Sequence, residues 1–224
     1  MSIKIAKHFF QYVALKYFRG NAHLIELGDH GEKKDPIGAK AYLDPTGKIR
    51  ASHLADRPIK QSSVSINWTA VKKADLETGA VLKFMGLGRK HGLSLDYAKA
   101  KSANLKLMNF SIAEGPLTRC LNNDANIVRN AMADEGNDAR VVSEVWCVVE
   151  AELAEHFDSY FNTDHEWSAV GNTLEISVSG GARGTQTISI GKGTTFAYKL
   201  HKVKKWSKGK EKIEDMEADY KGMG

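Results

Sequence analysis

The chain has 224 residues, of which 42% are hydrophobic and 26% charged, with a formal net charge of +5 and two cysteines. These values suit one globular domain and argue against a disulfide-stabilised scaffold or a disordered chain. No run approaches the ~18–20 consecutive apolar residues of a membrane-spanning helix, and the first residues lack a secretory signal pattern. We therefore expect a cytoplasmic protein with reduced cysteines, whose positive charge can attract nucleic acid or an anionic membrane.

The first nineteen residues form a basic segment that contains no acidic residue. Apolar residues at positions 6, 9, 10, 13 and 17 have helical spacing, and Gly20 follows as a stop signal. The pattern predicts a basic amphipathic helix over residues 1–19. Such a helix can lie in a lipid interface, or it can pack on the domain with its lysines solvated.

The next part of the chain has the alternation of strands. Ile37–Leu43 and Lys48–Leu54 flank Asp44-Pro45-Thr46-Gly47, which predicts a hairpin with a tight turn. Residues 80–97 alternate on both sides of a glycine-rich basic stretch, and residues 103–112 alternate again.

The second half begins with a change of period. Residues 115–135 have helical spacing, which predicts two short helices or one interrupted helix. Residues 141–153 predict one unusually long strand, and residues 174–190 predict a hairpin. A last strand is expected over 194–203, followed by a charged tail over 204–224 that forms a short helix or stays disordered.

Signatures of catalysis are missing from the sequence. The Gly191-Lys192 pair lacks the flanking residues of a phosphate-binding loop, and no Gly-x-Ser-x-Gly elbow occurs. Asp164-His165-Glu166 with His156 is the best metal-like cluster, but no further ligand lies at useful spacing. We predict no enzyme activity, no metal site and no cofactor.

Three stretches resemble the pore-forming domain of the gasdermin family. Residues 127–146 (IVRNAMADEGNDARVVSEVW) are similar to the helix, Gly-Asp/Asn turn and "VVTEV" strand of these domains. Residues 186–203 (QTISIGKGTTFAYKLHKV) are similar to the last strand, and residues 82–101 resemble the first hairpin of bacterial gasdermins. The matches cover roughly residues 76–203 in the family's order. A gasdermin-like pore-forming domain is therefore expected over residues 1–203.

The resemblance implies an α+β fold, with a twisted central antiparallel sheet and surrounding helices. It implies an effector of cell death or defence that is soluble in the cytoplasm until released. Two β-hairpins then unfurl into the cell membrane, and the protein oligomerises into a large transmembrane β-barrel. The expected partners are acidic membrane lipids, further copies of the chain, and an activating protease or partner protein.

The resemblance also assigns residues to these roles. The residues expected to contact acidic lipid are Lys4, Lys7, Phe9, Phe10, Lys16 and Arg19. The residues expected in the first membrane hairpin are Leu82, Phe84, Leu93, Leu95, Tyr97, Leu105 and Leu107. The residues expected in the second are Val145, Cys147, Val149, Leu153, Leu174, Ile176, Val178 and Ile188.

Alternatives remain for the tail and for the function. The tail is either a short inhibitory peptide that a protease removes or the end left by an activation cut. In a third alternative, a partner protein controls the chain. The runner-up function is a basic nucleic-acid-binding module, although it lacks an array of aromatics for base stacking. Its basic residues would be Arg89, Lys90, Lys99, Lys101 and the lysines of residues 199–210. A soluble β-rich scaffold or an unrecognised enzyme is the third alternative.

Overall fold

The computed structural model describes residues 2–36, 40–55, 57–72, 75, 82–85, 92–95, 101–159, 165–170, 173–179 and 184–223. These residues form an α+β fold with a strongly curled, antiparallel sheet and few helices. The strands are β1 (Ile3–Ile5), β2 (Phe9–Tyr12), β3 (Leu15–Phe18), β4 (Asp29–Lys34), β5 (Tyr42–Lys48), β6 (Ile59–Ser65), β7 (Leu82–Met85), β8 (Gly92–Leu95), β9 (Leu105–Ile112), β10 (Ala139–Glu150), β11 (His165–Val170), β12 (Thr173–Val178), β13 (Gln186–Ile190), β14 (Thr195–Trp206) and β15 (Ile213–Asp219). The α-helices are α1 (Ala51–Ala55), α2 (Glu114–Asn123), α3 (Asn126–Glu135) and α4 (Ala151–Ser159).

Strand β10 is the centre of the main sheet. It pairs with β14 along one side, and with β4 and then β9 along the other. Its apolar residues are buried on both faces, which explains why the strand is both long and rich in valine. Strand β6 pairs with β9, so β6, β9, β10 and β14 are four successive antiparallel strands.

Two long segments interrupt these four strands at one end of the sheet. Insert 1 (residues 66–104) connects β6 to β9, and insert 2 (residues 151–194) connects β10 to β14. Ser65 lies opposite Lys106, and Leu105 lies opposite Glu150, where β10 ends. Each insert therefore stands where a tight turn would join two paired strands.

The inserts carry small sheets of their own. Insert 1 contains the β7–β8 hairpin, in which Leu82 is opposite Leu95 and Phe84 is opposite Leu93. Insert 2 contains α4 and the three-stranded sheet β11–β12–β13. No helix within the described ranges has the length and apolarity that crossing a bilayer requires.

Residues 2–19 are short strands joined by turns, so the predicted helix is wrong. Residues 2–19, which we call the N-terminal meander, contain β1, β2 and β3 joined by tight turns. Phe10 and Tyr17 are direct cross-strand partners. Because they are seven residues apart in sequence, their spacing imitates two turns of a helix.

Two further predictions are corrected by the pairing of the sheet. The sequence Asp44-Pro45-Thr46-Gly47 lies inside β5, which pairs with β4 instead of forming its own hairpin. Proline is tolerated there because β5 is an edge strand. The charged tail forms β15, which pairs with β14 and buries Ile213 and Met216 in the main core.

The central segment agrees with its predicted period. Helices α2 and α3 cover the region expected to be helical, and their buried residues include Leu117, Cys120 and Met132. The long strand ends at Glu150, so Leu153 belongs to α4 and not to the predicted strand.

Candidate membrane-binding surface

The N-terminal meander has two chemically different faces. Its side chains lie in three cross-strand rows, which are Ile3–Tyr12–Leu15, Lys4–Gln11–Lys16 and Ile5–Phe10–Tyr17. Because side chains alternate along a strand, the first and third rows share one face and the second occupies the other. We call these the inner face and the outer face of the meander.

The inner face packs on aromatic residues of the central strands. The Phe10 ring centroid lies 5.3 Å from that of Trp146 and 5.8 Å from that of Phe196. Tyr17 also contacts Trp146, at 5.7 Å. Phe10 is fully buried and Arg19 is 2% exposed, so neither is available to lipid in this form. The two predicted lipid contacts at these positions would require the meander to move.

The exposed part of the outer face combines positive charge with the ring of Phe9, which is partly buried against the main core beside its cross-strand partner Phe18. The ammonium groups of Lys4 and Lys16 lie 5.5 and 4.7 Å from the centroid of Phe9. Such cation–π contacts contribute about 0.5–1 kcal/mol at exposed sites. Lys7 is exposed in the β1–β2 turn. Four of the six predicted lipid contacts, Lys4, Lys7, Phe9 and Lys16, thus lie at or near this surface.

The pKa of His8 reports the electrostatic potential beside the outer face. Partial burial lowers it, and repulsion from Lys7, Lys40 and Arg19 lowers it further. These cations come from the meander and from the β4–β5 region, so the positive potential extends beyond the first nineteen residues.

An exposed apolar tip adjoins this basic surface. Ile3, Val13 and Leu15 are 36%, 50% and 43% exposed, and Val13 occupies the two-residue turn between β2 and β3. Val13 has a φ of +57°, a left-handed conformation that is strained for a β-branched residue. Exposed apolar side chains beside lysines are the chemistry of an interfacial membrane contact. Sequence reasoning missed the tip because the predicted helix put Val13 on a continuous apolar stripe and not in a turn.

The structure describes the burial of ten of the fifteen residues predicted for the two membrane hairpins, and these ten lie in the interior. Leu82, Phe84, Leu93 and Leu95 belong to the paired strands β7 and β8, and Tyr97 lies outside the described residues. The remaining ones are at most 5% exposed; they are Leu105, Leu107, Val145, Cys147, Val149, Leu153, Leu174, Ile176, Val178 and Ile188.

Strands β12 and β13 have one apolar face and one polar face. Ile176 is opposite Ile188 on the buried face. On the other face, the hydroxyls of Ser177 and Thr187 are hydrogen bonded at 2.9 Å. Membrane strands need this alternation, because one face meets hydrocarbon and the other meets water.

Three of the six lysines of residues 199–210, part of the alternative nucleic-acid interface, are paired with acidic residues of β15. Arg89, Lys90 and Lys99 of the same alternative lie outside the described residues. Lys202, Lys204 and Lys205 form ion pairs with Glu217, Asp215 and Glu214, and all six residues lie on the β14–β15 hairpin. Alternating charges on two antiparallel strands therefore cancel one another, and little of their positive charge remains for a phosphate backbone.

The two cysteines are free thiols in the core. Burial raises the pKa of Cys147 to about 12, which keeps this thiol protonated and unreactive at neutral pH.

Comparison with protein-family models, with curated proteins and with solved structures gave no match for this chain.

Proposed function

We propose that this protein is a membrane pore-forming effector of cell death or defence, and that it acts as a large oligomeric β-barrel. The gasdermin resemblance suggested the proposal. One structural observation carries it: the two inserts leave the same end of four successive antiparallel strands. If both inserts straighten, they extend the existing ladder β6–β9–β10–β14 without any change of its register.

The lengths of the inserts are sufficient for this rearrangement. Insert 1 runs from residue 66 through 104 and insert 2 from residue 151 through 194, so each can supply two arms of roughly 20 residues. A tilted membrane strand needs only ~9–11 residues. Because lipid leaves unpaired backbone groups unsatisfied, four strands from one chain must pair with strands of other copies.

The proposal assigns the first membrane contact to the outer face of the meander together with its exposed tip. Lys4, Lys7 and Lys16 supply charge for acidic headgroups, and the tip residues Val13 and Leu15 supply apolar area. The closed form exists in water, and β15 covers part of the core until it is released from β14.

The test measures dye leakage from vesicles of phosphatidylserine and phosphatidylcholine. A protease site placed in the β14–β15 turn, near the exposed Lys208 and Lys210, allows the tail to be cut in the folded protein. We expect leakage after cutting, ring-shaped assemblies in electron micrographs, and little leakage from vesicles of phosphatidylcholine alone.

A reversible crosslink tests whether insert 2 must separate from the main sheet for a pore to form. The Ser63 hydroxyl of β6 contacts the Asp158 carboxylate of α4. A Ser63→Cys, Asp158→Cys variant is bridged by a short disulfide-forming crosslinker. Leakage should be lost in the bridged protein and return on reduction, while a Ser63→Cys single variant behaves as the unmodified chain. Equal leakage from the bridged and reduced forms, or none from any form, contradicts the proposal.

A further inference from the structure

Arg19 joins three separate parts of the molecule. Its Nη1 donates hydrogen bonds to the backbone oxygens of Ala6, at 2.7 Å, and of Asp75. Its guanidinium carbon lies 4.2 Å from the centroid of the Phe196 ring. Ala6 belongs to the meander, Asp75 to insert 1 and Phe196 to β14. One side chain therefore connects the candidate membrane surface to an insert and to the central sheet.

Because Arg19 is charged and buried, this connection is sensitive to movement of the N-terminal meander. The residue is only 2% exposed, and burial lowers its pKa to about 10, so it remains charged at neutral pH. A buried cation is costly unless its donors are satisfied. If the meander lifts, Arg19 moves away from the oxygen of Asp75, and the hydrogen bond that holds this part of insert 1 is lost.

An aromatic cluster follows the same path. Trp68, at the start of insert 1, lies 5.8 Å from Phe196, which contacts Phe10 of the meander. The Trp68 indole also donates a hydrogen bond to the Leu105 oxygen at 3.1 Å, where insert 1 returns to the sheet. Both ends of insert 1 are thus held in the apolar cluster that the meander covers.

We infer that Arg19 is a clasp that keeps insert 1 closed while the meander is seated and releases it when the meander moves at an anionic surface. The inference rests on the proposed function for its membrane step. Its structural step, the coupling of meander to insert 1, is independent of any membrane. A lysine cannot replace this arginine, because it lacks the planar guanidinium that stacks on Phe196 while donating to two oxygens.

Hydrogen exchange in solution tests the structural step. The amides of Ala70 and Val71 donate to the oxygens of Asn67 and Trp68, so they report on the start of insert 1. We expect Arg19→Met to increase their exchange at least tenfold, and Arg19→Lys to increase it less. Lys16→Met, which removes a cation from β3, the strand that ends just before Arg19, is the matched control and should leave the exchange unchanged.

Two outcomes overturn the clasp. One is unchanged exchange of Ala70 and Val71 in both Arg19 variants. The other is an equal increase in β12, which would indicate general destabilisation instead of local release. If Arg19→Met does not fold, the Arg19→Lys variant decides between these outcomes.

A second experiment separates the clasp from pore formation. The unmodified chain is mixed with phosphatidylserine or phosphatidylcholine vesicles, and exchange of Ala70 and Val71 is followed. Only the phosphatidylserine vesicles should increase this exchange. If the protein binds these vesicles and the exchange does not increase, the membrane step is overturned. If the Arg19 variants behave as expected in solution but no form of the protein permeabilises vesicles, the clasp stands and the proposed function fails.

Discussion

The attachment of β15 depends on a buried ion cluster that can be tested by one substitution. Asp219 Oδ2 lies 2.9 Å from Lys33 Nζ of β4 and 2.7 Å from Arg140 Nε of β10. The three side chains are 5%, 2% and 8% exposed. Removing the carboxylate leaves two buried cations without the negative charge that they share. We expect Asp219→Ala to lower the free energy of unfolding by about 3–5 kcal/mol.

Urea unfolding measures this loss, with Glu217→Ala as the matched control. Glu217 lies on the same strand and pairs with Lys202 at 2.8 Å, but both side chains are about 40% exposed. An exposed pair of this kind contributes about 0–1 kcal/mol. Equal losses in the two variants would refute the reasoning, because they would show that burial does not set the strength of the cluster.

The same cluster predicts a dependence on pH. Burial alone would raise the pKa of Asp219, but hydrogen bonds from Lys33 and Arg140 hold it at about 2. A carboxyl with a depressed pKa stabilises the fold above its ordinary pKa near 4, and this contribution of about 2 kcal/mol is lost as the pH falls towards 2. The acid-induced loss should be smaller in Asp219→Asn than in the unmodified chain.

Two other substitutions test unusual features of the fold. Burial raises the pKa of Asp29 to about 7 beside Glu26, Lys48 and Lys192, so its contribution to stability is present below pH 4 and lost as the pH rises to 7. Asp29→Asn should therefore stabilise the protein at pH 8, by at most about 4 kcal/mol, and change little at pH 4; the opposite trend in urea unfolding contradicts this. Val13→Asn should relieve the left-handed strain by about 1 kcal/mol and weaken vesicle binding. Unchanged vesicle binding refutes the assignment of the tip, and a lower stability refutes the strain.

The N-terminal meander shows why a sequence pattern can mislead. Two short turns interrupt the alternation of the strands. Apolar residues of neighbouring strands therefore recur at intervals close to the 3.6 residues of a helical turn. A helix and a meander then give the same one-dimensional pattern. What separates them is the aromatic cluster of Trp146 and Phe196, which lies more than 120 residues away and receives the inner face of the meander.

The periodicity of the sequence predicted correctly those elements that pack on the core with a single face. Helices α2 and α3 and the β12–β13 hairpin have strict periods because the core lies on one side of each. The ion cluster at Asp219 had no such signal, since its partners are 79 and 186 residues away. The basic surface was half predictable, because charge can be read from the sequence and the burial of Arg19 cannot.

The apolar face and the polar face of the β12–β13 hairpin limit the surroundings in which insert 2 is stable. Its buried apolar side chains each contribute about 1.5–3 kcal/mol to the fold, so moving all of them into water costs roughly 10 kcal/mol. That is comparable with the whole stability of a typical domain, and release into water alone is therefore negligible. Hydrocarbon offers the same apolar surroundings, but it leaves the polar face and the strand edges unsatisfied. Under the proposed function, release of insert 2 would therefore be favourable only where a membrane and neighbouring copies act together, and insertion would be coupled to assembly. The side chains concerned are Leu174, Ile176, Val178, Ile188 and Ile190 on the apolar face, and Ser177, Thr187 and Ser189 on the polar face.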